Sequence, residues 1–219
     1  LEKKKKMDSD PQEVFIVGGG PSLRGFDFFS LLNKKTIVVN KAILNVPNPN
    51  YFITVDYTFI LKIGLTTLGE CCAHKYFVVD LSYPFIQKVN DSYIDTRHNL
   101  TYTNLYLFDT IIESKDQNGL GFSFEDFRSG ANSGYSALQL AVVLGFKKIN
   151  LLGIDLICTD RTHFHEGYGE RINSFNEKLE SYFQSFKLGL ESIKRFTDIR
   201  VVSRTPFSRL NDIIPFEEM

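Results

Sequence analysis

The chain has 219 residues, 43% of them hydrophobic and 20 of them Phe, enough to bury one full core and closer to one domain than to two. Its 25 Lys and Arg are balanced by 26 Asp and Glu, so no global field draws it to nucleic acid. Three cysteines, with Cys71 and Cys72 adjacent and Cys158 distant, make neither a disulfide framework nor a zinc spacing and point to a reducing cytoplasm; no apolar run approaches the roughly 18 residues that span a bilayer.

Residues 1–12 form a basic lead without the apolar centre of a signal peptide. A solvated tail is favoured there over peripheral attraction to anionic lipid. The apolar run 14–17 then stops at Gly18, Gly19, Gly20, Pro21 and Ser22, which reads as a buried strand entering a ligand loop. Glycines let the backbone approach a ligand closely, Pro21 fixes φ, and amides turned outward would seat an anion. A dinucleotide fingerprint needs a sixth-position glycine where Leu23 stands, and an acidic residue after the next strand where Asn40 stands; no Gly-Lys-Ser/Thr follows for a P-loop.

Further along, 26–32 predicts a short helix with its aromatics on the sheet, and 36–39 a second strand ending at Asn40. Strands follow at 51–55, with Asp56 at the exit, at 76–79, ending at Asp80, and at 101–107; 109–128 is polar and predicts a surface loop or lid. Asn132, Ser133 and Gly134 open a dense apolar helix that Gly145 stops. A central strand over 147–155 delivers Asp155, and a His- and Gly-rich loop carries His163 and His165. Apolar residues from Ile172 to Ile193 recur every three or four positions, a long amphipathic helix whose aromatic stripe reads as core, before a last strand at 199–202. This alternation predicts an α/β, Rossmann-like domain over 13–219, mostly parallel with helices on both faces.

In such a sheet ligands sit beyond the carboxyl ends of the strands, so residues 18–22, Asn40, Asp56, Asp80, Asp155 and residues 203–208 are expected on one rim. Asn40 suits a base or ribose edge. Asp56 and Asp155 could hold a metal ion or sugar hydroxyls, or cap helices instead. Asn132 and Ser133 cap a helix and, if aimed at the rim, also hold phosphate. His163 or His165 could take a proton from an acceptor hydroxyl; as a metal pair they lack a third ligand at a recognisable spacing, so no metal site is assigned.

Together, VGGGPSL at 17–23, VVN at 38–40, FITVD at 52–56, SGY at 133–135, LGFKKI at 144–149 and LGIDL at 152–156 resemble the motility-accessory-factor (Maf) and MptE-like family. They are similar as well to related bacterial sialyltransferases, which open with GNGPSL and carry TSG, LGY and GID blocks. The sialyltransferase and Maf branch implies a CMP-type nucleotide-sugar donor and transfer of a nonulosonic, sialic-type sugar to a glycan or other hydroxyl acceptor. In that branch residues 18–22, Asn40 and Ser133 would hold the nucleotide and His163 or His165 would be the base. The MptE branch implies a diphosphokinase acting on a pterin-type alcohol with Mg²⁺ at Asp56 and Asp155. A nucleotide-binding protein without catalysis is the third reading, and a homo-oligomer is compatible with each. Two departures stand out: Gly19 replaces a nucleotide-contacting asparagine, and Ile157 replaces a tyrosine near the leaving phosphate, a role that Tyr168 could take over.

Overall fold

The computed structural model describes residues 12–158, 163 and 172–219. Its centre is a sheet of seven parallel strands, β1 (Glu13–Val17), β2 (Thr36–Val39), β3 (Tyr51–Thr54), β4 (His74–Asp80), β8 (Thr110–Ser114), β9 (Lys148–Leu152) and β10 (Arg200–Ser203). Their order across the sheet is β10-β9-β1-β2-β3-β4-β8. The chain therefore winds outward from β1 through β2, β3 and β4 to β8, then returns to β9 on the other side of β1. Such a reversal opens a crevice at the carboxyl ends of the two strands flanking it.

Alternation along β1 sends Val14 and Ile16 into one apolar layer and Phe15 and Val17 into the other. The first layer packs under α3 (Ser133–Val143) and α4 (Ile172–Phe196), which contribute Tyr135, Leu138, Leu140, Phe183, Phe186 and Ile193. The second lies under α1 (Tyr57–Ile63) and α2 (Leu65–Glu70) and holds Tyr57, Phe59, Ile60 and Leu68. Helices thus cover both faces, as expected. Phe186 is wholly buried, which is worth about 1.5–3 kcal/mol relative to exposure. At the opposite end of the sheet from the crevice, the first residues of β1 and β9 pair, Lys148 Nζ donating to Glu13 at 2.8 Å.

Three expectations need correction. The strand predicted at 101–107 is a two-residue β7 (Leu100–Thr101) followed by a 3-10 turn at Leu105–Leu107. That β7 belongs to a separate antiparallel sheet with β5 (Ile86–Val89) and β6 (Ser92–Asp95), a hairpin whose polar faces hid it. Within 109–128 the first part is β8 and only 115–128 is the expected loop: Ile111 and Ile112 pair with Phe77 and Val78, and polar flanks disguise this edge strand. The helix predicted at 26–32 is a single 3-10 turn, Phe28–Leu31, with Asp27 accepting from the Phe29 amide at 3.0 Å. Phe29 is 75% exposed, so its ring does not face the sheet.

Candidate active site

A cleft of about 480 Å³ opens at the crevice. From the glycine loop Gly18, Gly19, Gly20 and Pro21 line it, and from the ends of β2 and β3 come Asn40 and Asp56. Asn132, Ser133 and Gly134 enter from the start of α3, and Asp155 and His163 from beyond β9. Ser22, Asp80 and residues 203–208 do not line it. His165 and Tyr168 lie outside the described residues.

The glycine loop is shaped first by packing. A Cβ on Gly18 would stand 2.5 Å from the Gly153 carbonyl oxygen, and one on Gly20 would stand 2.4 Å from Asp155 Cγ. The loop amides do not all turn outward as expected. Gly18 donates to Leu152 O and Gly20 to Gly153 O, both at 2.8 Å, stitching the loop to the chain leaving β9. Ser22 gives its amide (2.8 Å) and its hydroxyl (2.7 Å) to the two oxygens of Asp155. Ser22 is therefore a clamp on Asp155, away from the cleft. The Gly19 amide alone in this stretch of 18–20 has no hydrogen bond among the described residues, and a Cβ at Gly19 would meet His163 Cδ2 at 2.9 Å. Glycine at that position lets the imidazole lie against the loop.

Stronger anion donors come from α3. Asn132 caps it, its Oδ1 accepting from the Tyr135 amide at 2.7 Å while its Nδ2 donates to Gly130 O at 2.9 Å. Both functional atoms of this side chain are thus structural. The amides of Ser133 and Gly134, the first two of the helix, bond to nothing among the described residues, and both residues line the cleft. Free first-turn amides and the helix dipole together favour a bound anion. The Ser133 hydroxyl accepts from the Val55 amide at 3.1 Å, which ties α3 to the end of β3.

The backbone around the cleft is strained. Among the described residues, the positive-φ residues other than Gly and Asn are Ala131 (φ 56°) and Leu156 (φ 51°), and both line it. Asn40 (φ 50°) is a third. Such conformations cost about 1–3 kcal/mol each and gather at functional sites.

Asn40 has a defined orientation. Thr54 is wholly buried; its Oγ1 accepts from the Asp56 amide at 3.0 Å, so its proton must find another acceptor, which is Asn40 Oδ1 at 2.7 Å. The Asn40 amide nitrogen is left as a donor at the cleft. Asp56 takes the capping role, its Oδ1 accepting from the Phe59 amide (3.1 Å) and Thr58 Oγ1 (2.7 Å). Asp155 is 3% exposed, and burial raises its pKa against the lowering effect of the two Ser22 bonds. Asp155 is thus clamped by Ser22, Asp56 caps α1 through Oδ1, and both aspartates line the cleft. No group of three His, Cys, Asp or Glu side chains among the described residues could hold a metal ion.

Sequence reasoning missed Lys62 at the end of α1, and Lys178 and Tyr182 on α4, all of which line the cleft. The apolar stripe of α4 is core at Phe183, Phe186, Leu190 and Ile193, and Tyr182 and Phe186 also line the cleft. The signal was a Lys and a Tyr four apart, which share a helix face.

Sialyltransferases of known structure have this fold. The Campylobacter jejuni sialyltransferase CstII, solved with the substrate analogue CMP-3FNeuAc, superposes with a TM-score of 0.53 at 16% identity, covering 94% of this chain and 86% of that one. The monofunctional α-2,3-sialyltransferase Cst-I of the same organism gives 0.56 at 16% identity, covering 99% and 84%. A CST-II complex with a trisaccharide acceptor and CMP gives 0.52 at 16% identity, covering 93% and 85%. At these identities the likeness is one of fold. No protein-family model and no curated protein matches the chain, so the Maf and MptE-like resemblance rests on its motifs. No helix among the described residues is long and apolar enough to cross a membrane.

Proposed function

We propose that the chain is a glycosyltransferase that moves a sugar from a nucleotide-activated donor to a hydroxyl acceptor. The observation that carries this reading is the meeting, in one cleft, of uncommitted donors with an imidazole. The donors are the amides of Gly19, Ser133 and Gly134 and the Asn40 nitrogen; the imidazole is that of His163. Donors fixed in a partly buried site stabilise charge on a departing phosphate without reorganising. The Asn40 nitrogen serves the base or ribose, and the α3 amides serve the phosphate. Since sialyltransferases of this fold were solved with CMP or a CMP-sugar analogue, a CMP-type donor and a nonulosonic sugar are the favoured substrates.

In the transfer step His163 removes the acceptor hydroxyl proton and the acceptor oxygen bonds to the anomeric carbon. The bond from that carbon to the phosphate oxygen breaks, and its electron pair leaves with the nucleotide. Histidine suits this role because it exchanges protons near neutral pH. Asp155 acts one step back, fixing the glycine loop through Ser22 instead of touching the reacting atoms.

Isothermal titration with CMP, UDP, GDP and ATP, followed by a transfer assay with CMP-sugars, tests the reading. CMP is expected to bind, and His163→Ala to keep that affinity while transfer falls by about 10²–10⁴-fold. Absence of binding to every nucleotide ends the proposal. Strictly Mg²⁺-dependent consumption of ATP would replace it with the diphosphokinase reading, and nucleotide affinity without transfer or hydrolysis with a non-catalytic binder.

A further inference from the structure

The segment that presents the α3 amides is anchored outside the cleft. Ser129, wholly buried, donates its hydroxyl to Oδ2 of Asp80 at the end of β4, and the same hydroxyl accepts from the Ala131 amide at 3.1 Å. The Ser129 amide donates to Ser114 Oγ at the end of β8 (3.0 Å), and its carbonyl accepts from Ser136 Oγ in α3 (2.8 Å). Asp80 is 8% exposed and its other oxygen accepts from the Ser82 amide at 3.1 Å and from the Ser82 hydroxyl. Both carboxylate oxygens are thereby closed by protein donors, and neither Asp80 nor Ser129 lines the cleft.

Immediately after Ser129 the chain turns left-handed twice, at Gly130 (φ 60°) and at Ala131 (φ 56°), before the Asn132 cap. Two consecutive residues in that region do not persist unless their surroundings hold them, most of all when one of them carries a Cβ. The Ser129 hydroxyl does so by accepting from the Ala131 amide, and the Asp80 carboxylate fixes the direction of that hydroxyl by accepting its hydrogen bond. Without the carboxylate, the hydroxyl is free to rotate and the Ala131 amide loses an oriented acceptor.

We infer that Asp80 and Ser129 are positioning residues for the anion seat: they set the left-handed turn that aims the Ser133 and Gly134 amides into the cleft. This deepens the proposed function, and rests on it only for the nucleotide measurement below. It concerns a carboxylate that the transfer step does not use.

The test compares Asp80→Asn, Ser129→Ala and their double variant with Glu13→Gln, a carboxylate control at the far end of the sheet. CMP affinity is read by calorimetry, and the Ser133 and Gly134 amide signals by ¹⁵N NMR of the ligand-free protein. Each site variant is expected to weaken CMP by about tenfold and to move both signals, while the double variant loses no more than about what one single loses, since the pair acts as a unit. Glu13→Gln should lower the melting temperature and leave both readouts unchanged. CMP affinity within about twofold of wild type in both single variants overturns the inference. If the wild type binds no CMP, the CMP-donor reading falls, and unmoved Ser133 and Gly134 signals are then what overturn the positioning role. Should Asp80→Asn fail to fold, Ser82→Ala, which removes one donor to the carboxylate, is expected to shift both readouts in the same direction by less.

Discussion

Ser22 donates both its amide and its hydroxyl to the carboxylate of Asp155, across 133 residues of sequence, at 2.8 and 2.7 Å. Ser22→Ala leaves a buried carboxylate oxygen short of a partner, a loss of about 1–3 kcal/mol. The sign with pH is set by the raised pKa of Asp155. A carboxyl whose folded pKa lies above its unfolded one contributes stability that is fully present below the unfolded value and is lost as pH rises through the folded one. Removing the hydroxyl pushes the folded value higher, so the melting temperature of Ser22→Ala relative to wild type should fall further on going from about pH 4 to about pH 7. An equal deficit at both ends would contradict this account of the clamp.

Gly18 and Gly19 should respond to alanine in different currencies. At Gly18 the new methyl would lie 2.5 Å from a carbonyl oxygen of the backbone, so Gly18→Ala should destabilise by about 3 kcal/mol or more. At Gly19 it would lie 2.9 Å from His163 Cδ2, a side-chain atom and not the backbone. Gly19→Ala is therefore expected to keep the melting temperature and to lose transfer by about tenfold or more as the imidazole is displaced. Thermal denaturation alongside a transfer assay separates the two.

Ala131 offers a gain in stability at the expense of the site. Relieving its left-handed backbone with Ala131→Gly recovers about 1–2 kcal/mol, less the added freedom of the unfolded chain, for a net rise of about 1–3 °C in melting temperature. The looser turn should at the same time weaken CMP binding. A variant that is both more stable and tighter would show that the turn does not aim α3.

Acid unfolding should report on the small antiparallel sheet. Asp95 is 5% exposed; burial alone would raise its pKa, but hydrogen bonds from the Arg97 side chain, His98 and the Arg97 amide lower it from 3.8 to about 2. A depressed carboxyl contributes stability above its unfolded pKa, and that stability is lost as pH falls through the folded one. Asp95→Asn should therefore cost about 1–2 kcal/mol at neutral pH and converge on wild type as pH drops from about 4 to about 2, as read from urea midpoints.

The inner strands were legible because burial on both faces writes itself as continuous apolar runs: the strands expected at 14–17, 36–39 and 51–55 lie within one residue of those observed, while the one expected over 147–155 ends at Leu152. Edge elements were not. Thr110–Ser114 and Ile86–Val89 are half solvated, and their polar residues look the same as those of a loop. At the site, the rim was found from strand ends, and the caps at Asn132 and Asp56, each three residues from its partner, were among the readings of the sequence. The bonds of Ser22 to Asp155 were not, because those partners are brought together only by the packing of distant segments.

The meeting of the glycine loop with the chain leaving β9 has a kinetic consequence. Gly18 and Gly20 reach their carbonyl partners only after some 130 residues have been threaded through the rest of the sheet. Contacts of such long range raise the contact order and come late in folding, since the entropy of closing so large a loop must be met before they form. A nascent chain halted before β9 can build the strands that carry Asn40 and Asp56, yet it lacks the wall against which its glycines are moulded. Binding competence should thus arrive abruptly, with the return of the polypeptide to its own first strand.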